Sequence, residues 1–195
     1  MKNLIYYLNW LVEVSQYTNI EMIDKSIEFF GINIGILTIS DTRNFDNDKS
    51  GSILKSLIED YGHSCILRDI VKDEPKQLLL TLNKWVNNKY LDVIITSGGT
   101  GLTGRDVTVD VLETYFDKKI DGFGELFRFL SYKKIGTSTI QSRAVGGTKN
   151  GKYIFCVPGS PSACEDAWEE ILKFQLDVRH KPCNFVEIMP RLNER

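Results

Sequence analysis

DVIITSGGTG, from Asp92 to Gly101, sets an unbroken apolar run directly against a glycine-rich turn. A run this short, with no polar alternation, is the pattern of a strand covered on both faces, as in the middle of a parallel sheet. GILTIS, from Gly35 to Ser40, repeats that form, and Cys65 to Val71 supplies a third strand. Helical patterns lie between them. Apolar residues recur at Ile53, Leu54, Leu57, Ile58 and Tyr61 until Gly62 stops the run, and again after Pro75 at Leu78, Leu79, Leu82, Trp85 and Val86. This alternation of strand and helix predicts a doubly wound α/β domain with a mainly parallel sheet.

Beyond the glycine turn, Val107 to Phe116 and Phe123 to Leu130 read as helices. Arg143 to Gly147 and Lys152 to Val157 are expected to pair as a small β-hairpin across Thr148-Lys149-Asn150-Gly151, because Asn-Gly supplies the positive φ of a tight turn. A final helix, Ala163 to Leu176, carries Trp168, Ile171, Leu172 and Gln175 at helical spacing. There is no internal repeat, low-complexity tract or linker, and 195 residues suit one domain better than two.

Twenty-four Lys and Arg against 26 Asp and Glu leave a formal charge of -2, so no broad basic footprint for nucleic acid exists and any anion must be held locally. Cys65, Cys156, Cys164 and Cys183 form no CxxC pair and stand where small apolar residues pack, which suits a reduced, cytoplasmic setting. His63 and His180 read as surface or capping residues and are too isolated for a metal site. Leu4 to Val14 is fairly apolar, but Asn9 interrupts it, Glu13 follows, and it falls short of the roughly 20 residues of a spanning helix. No membrane role is expected.

Open parallel sheets bind ligands beyond the carboxyl ends of their strands. Ser40-Asp41-Thr42-Arg43 follows the first strand, Lys72-Asp73-Glu74 the second, Ser97-Gly98-Gly99-Thr100-Gly101 the third, and Pro158-Gly159-Ser160-Pro161-Ser162 the last. Four polar or glycine-rich loops should therefore share one rim. Lacking Cβ atoms, the glycines let backbone N–H groups approach a phosphate, with Ser97 and Thr100 adding hydroxyls; a bare strand-to-helix turn is the alternative. Ser160 or Ser162 either caps the last helix or helps form an anion site at its start. Arg105 could touch a phosphate. Asp106 could hold Mg²⁺ or cap the helix near Val107, and Asp73 and Asp41 offer further carboxylates. Carboxylates with glycine loops and no histidine suit phosphoryl or nucleotidyl transfer.

TSGGTGLTGRDVT (Thr96 to Thr108), GFGELFR (Gly122 to Arg128), GTSTIQSRAVGG (Gly136 to Gly147) and VPGSPSA (Val157 to Ala163) together resemble the molybdenum cofactor biosynthesis protein B and molybdopterin adenylyltransferase family. QLDVRHKPCNF, Gln175 to Phe185, is similar to the B branch. The resemblance implies a three-layer α/β/α molybdopterin-binding fold assembled as homo-trimers or homo-hexamers, working among other molybdenum cofactor biosynthesis proteins. It also implies Mg²⁺ as cofactor and ATP as co-substrate, with AMP attached to the terminal phosphate of molybdopterin and pyrophosphate released.

Carried over by position, Asp106 is the principal catalytic and metal-binding carboxylate and Asp73 the second. Gly98, Gly99, Thr100 and Gly101 cradle phosphate, and Ser160, with Pro158 and Gly159, helps hold the pterin. Glu125 either faces the same pocket or caps a helix. Val109 and Asp110 depart from the Pro and Glu common in the family after RDVT. The ending similar to the B branch motivates the alternative, a non-catalytic molybdopterin-binding or carrier protein of the same pathway. Residues 1–31 are expected to be an N-terminal extension, with the native start at Met22, and residues 32–195 to be the single molybdopterin-binding domain.

Overall fold

The computed structural model describes residues 23–194, so the readings of Leu4 to Val14 and of a start at Met22 lie outside the described residues. Six strands form one sheet in the order β2-β1-β3-β6-β5-β4. They are β1 (Asn33–Ile39), β2 (Ser64–Val71), β3 (Val93–Ser97), β4 (Lys118–Lys119), β5 (Val145–Lys149) and β6 (Lys152–Val157). β2, β1, β3 and β6 run parallel, while β5 is antiparallel to both its neighbours. Register sets the level of the rim. Thr38 pairs with Ser97 and Ser97 with Val157, so the loops leaving β1, β3 and β6 start side by side.

Alternation along the strands divides the core in two. Ile34, Ile36, Val93, Ile95, Tyr153 and Phe155 face one layer, made by α1 (Lys49–Tyr61), α4 (Asp121–Ile135) and α5 (Pro161–Ala167). Leu37, Ile39, Ile94, Ile154 and Cys156 face the other, made by α2 (Pro75–Val86) and α3 (Thr108–Tyr115). The result is a three-layer α/β/α arrangement. Three helices start for a local reason: Asp48 caps α1 by accepting from Gly51 N–H, and Pro75 and Pro161 stand in the first turns of α2 and α5.

Some boundaries differ from the sequence reading. Thr148 and Lys149 belong to β5, and the hairpin turns on Asn150 and Gly151 alone, both at positive φ (49° and 74°). Arg143 and Ala144 precede the strand. α4 extends past Leu130 to Ile135; exposed Leu126, Phe129, Tyr132 and Ile135 obscure the amphipathic pattern that would mark its length in the sequence. β4 is two residues long, too short for periodicity to show. The last helix passes through a π-helical turn at Trp168–Leu172.

Both histidines are buried rather than at the surface. His63 follows the glycine that ends α1, but its Nδ1 accepts from Ile32 N–H at 3.2 Å and its ring packs against Phe29, Tyr61 and Trp168. His180 lies against Phe174. Cys156 and Cys164 are buried as expected; Cys183, beside the Lys181-Pro182 cis bond, is exposed. Residues 23–31 are tied to the body, with Ile23 bridging to His180 and Asp24 N–H donating to the Arg179 carbonyl. No helix among the described residues is long and apolar enough to cross a membrane.

Candidate functional site

The glycine turn leaves β3 in a conformation that demands its residues. Gly98 stands at φ 103°, where a Cβ would lie 2.2 Å from the Ile39 carbonyl oxygen, and Gly99 at φ 62°. L side chains rarely adopt either. A Cβ on Gly99 would come within 2.1 Å of Thr108 Oγ1 and 2.7 Å of Asp73 Oδ1. The missing side chain thus leaves a space walled by a carboxylate and a hydroxyl, and Thr108 Oγ1 is buried with no hydrogen-bond partner. Ser97 Oγ is likewise buried and unpartnered. Gly98 N–H continues the sheet by donating to the Val157 carbonyl, so it is not free to meet a ligand.

Three of the four rim loops meet around that turn. Asp41 Oδ1 accepts from Asp73 N–H at 3.3 Å, and Asp41 Oδ2 accepts from Arg105 Nη2 at 2.6 Å. The guanidinium holds the Asp41 carboxyl below its ordinary pKa. Asp73 is buried at the end of β2, and burial, reinforced by the charges of Asp106 and Asp41, raises its pKa. The opposite holds for Asp106. Its Oδ2 accepts from Thr103 Oγ1 at 2.6 Å and from Thr103 N–H at 3.0 Å, and these bonds, with the nearby Gly101 amide, lower its pKa. Two neighbouring carboxylates are thereby pushed in opposite directions, a pattern common at reactive sites.

Asp106 does not cap α3. The carboxylate bonds back into its own loop, and Asp73 Oδ1 instead accepts from Val107 N–H at 3.2 Å at the start of that helix. The fourth loop is joined differently: a Cβ on Gly159 would stand 3.1 Å from Gly98 Cα, and the Gly159 carbonyl accepts from Arg43 Nη2 (2.8 Å) and Ser50 Oγ (2.7 Å). Ser160 Oγ caps α5 by accepting from Ala163 N–H, and Ser40 Oγ closes its own turn with Thr42 and Arg43 N–H. Pro158 accepts a weak bond from Cys164 Sγ.

Glu125 is not a cap, since α4 begins four residues earlier, nor does it touch the carboxylate pair. It lines a cavity of about 410 Å³ between α3 and α4, beside Arg128, Ser142 and Arg143. β5 enters and β4 leaves at the same end of the sheet as the glycine turn, so this cavity extends the rim past β6. Arg143 joins the two compartments: its guanidinium lines the cavity and donates to the carbonyls of Thr100, Gly101 and Asp106. Neither Arg143 nor Arg43 stood out in the sequence, because each acts on carbonyls far along the chain.

Residues 35–178 match the family model described as "Probable molybdopterin binding domain", which gives the class of protein that this sheet and rim define. The chain is 43% identical over 164 residues to molybdenum cofactor biosynthesis protein B of Escherichia coli (strain K12), covering 84% of this chain and 96% of that relative. It is 44% identical over 149 residues to the protein of the same name from Staphylococcus aureus (strain COL), covering 75% and 88%. A crystal structure of molybdenum cofactor biosynthesis protein B superposes with a TM-score of 0.77 at 37% identity, covering 85% of this chain and 98% of that one. The chain belongs to the molybdenum cofactor biosynthesis protein B family and has the molybdopterin-binding fold.

Proposed function

We propose that this member of a molybdenum cofactor biosynthesis family adenylylates molybdopterin, using ATP and Mg²⁺ and releasing pyrophosphate. One observation carries the reading: Asp73 and Asp106 reach the same glycine turn from different loops, with opposite shifts of acidity. In the reaction, an oxygen of the pterin's terminal phosphate attacks the α-phosphorus of ATP, a new P–O–P linkage forms, and the bond to the departing pyrophosphate breaks. Such a transfer asks little covalent chemistry of the protein and much positioning of charge.

The donors along the glycine turn, Asp73 and Thr108 at Gly99 and Asp106 at Gly101, fit a hard cation. Asp73 and Asp106 supply carboxylate oxygens, and the unpartnered Thr108 Oγ1 supplies a neutral one. When bound, Mg²⁺ would offset charge on the transferring and leaving oxygens. The chain's own residues do the rest. Gly99 and Thr100 present backbone N–H groups to a phosphate, and Arg105, 64% exposed, can turn from Asp41 to an incoming anion. The cavity lined by Glu125 and Arg128 has the volume of a heterocycle site.

A second reading, a protein that binds molybdopterin without adenylylating it, is favoured by the commitment of the Asp106 carboxylate to Thr103. Incubation of the purified protein with molybdopterin, ATP and Mg²⁺, followed by chromatography, separates them. Adenylylation gives the AMP adduct and equimolar pyrophosphate; bound pterin with neither product rejects the enzyme and leaves the carrier.

A further inference from the structure

Arg143 stands at the entry to β5, 43 residues along the chain from the glycine turn, yet its guanidinium is spent on that turn. Nε donates to the Thr100 carbonyl at 3.1 Å, and Nη2 to the carbonyls of Gly101 (2.6 Å) and Asp106 (3.0 Å). Asp110 holds the far side of the fork, Oδ1 accepting from Nη1 at 3.1 Å. In a planar trans peptide the C=O and the N–H of one unit point in opposite directions. The Thr100 carbonyl shares its unit with Gly101 N–H, and the Asp106 carboxylate lies against Gly101, where a Cβ would stand 2.5 Å from Oδ2. The Asp106 carbonyl shares its unit with Val107 N–H, which donates to Asp73 Oδ1 at 3.2 Å. One cation therefore grips the acceptor side of the two peptide units against which the two carboxylates stand.

We propose that Arg143 is a positioning residue that sets where the Asp73 and Asp106 carboxylates stand relative to each other, by fixing the peptide units at Thr100–Gly101 and Asp106–Val107. The proposal deepens the adenylyltransferase reading and rests on it only for its kinetic consequence. The planar fork is what lets one side chain reach three carbonyls, and a lysine, a single flexible point donor, cannot reproduce it. Misplacing catalytic groups by an ångström costs on the order of a hundredfold in rate.

The test compares wild type with Arg143→Gln and Arg143→Lys by two readouts, amide hydrogen exchange and adenylylation kinetics. In Arg143→Gln the amides of Thr103 and Val107, which donate to the Asp106 and Asp73 carboxylates, lose protection while those of Ile94, Ile95 and Thr96 in β3 keep theirs. kcat falls by on the order of a hundredfold, with the KM for the pterin changed far less. If Arg143→Gln does not fold, Arg143→Lys, which keeps a charge opposite Asp110, shows the same two losses in milder form. A folded variant with wild-type protection at both amides overturns the proposal, whatever its activity. Lost protection in a protein whose wild type makes no adduct supports the clamp and counts only against the proposed reaction.

Discussion

At the scale of single residues, the site is built from carboxylates whose environments oppose each other. Asp73 is buried beside like charges, so the fold favours its protonated form, while Asp106 is held ionised by Thr103. A carboxyl with a raised pKa stabilises the fold at pH values below its ordinary range, and that contribution is lost as pH rises through the raised value. At neutral pH, ionised Asp73 is therefore a cost. Asp73→Asn keeps an acceptor for Val107 N–H and removes the charge, so its melting temperature at pH 7 should equal or exceed that of wild type. The difference should shrink as acid protonates Asp73, and turnover should be lost throughout. A variant less stable than wild type at pH 7 would mean that Asp73 is there to hold the fold rather than to serve the reaction.

At the scale of elements, what the sequence shows and what it hides divide along locality. β1, β3 and the helices α1 and α2 are legible because their apolar spacing is local, and the residues after each strand point to the rim. β4 escapes because two residues carry no period. Asp73 and Asp106 are recognisable as strand-end and turn carboxylates, but which of them receives the start of α3 is decided across the sheet, between loops 34 residues apart. The clamp by Arg143 is hidden for the same reason. The glycine turn itself is the element most exposed to a simple test. Gly98→Ala places a Cβ 2.2 Å from the Ile39 carbonyl oxygen at φ 103°. Its backbone alone should cost about 1–3 kcal/mol in chemical denaturation. A midpoint unchanged from wild type would contradict a strained turn at Gly98.

At the scale of the whole molecule, the sheet's rim is held from one side and the ends of the described chain from the other. Phe29, Tyr61, His63 and Trp168 form one aromatic cluster, which Arg179 joins by stacking over Phe29. Burial lowers the His63 pKa from 6.5 to about 4, so the fold prefers the neutral ring. The stability this gives is complete above pH 6.5 and is lost as pH falls from there towards 4. His63→Asn, whose Oδ1 can still accept from Ile32 N–H, should melt lower overall but with a shallower dependence on pH across that window. An undiminished slope would assign the dependence to other groups. The reaction proposed for the rim turns on Asp106. Single-turnover adenylylation by wild type and Asp106→Asn, with pterin binding measured in parallel, tests that role most directly. Asp106→Asn is expected to bind molybdopterin as wild type does and to form almost no AMP adduct; adduct formed at the wild-type rate would contradict a catalytic Asp106.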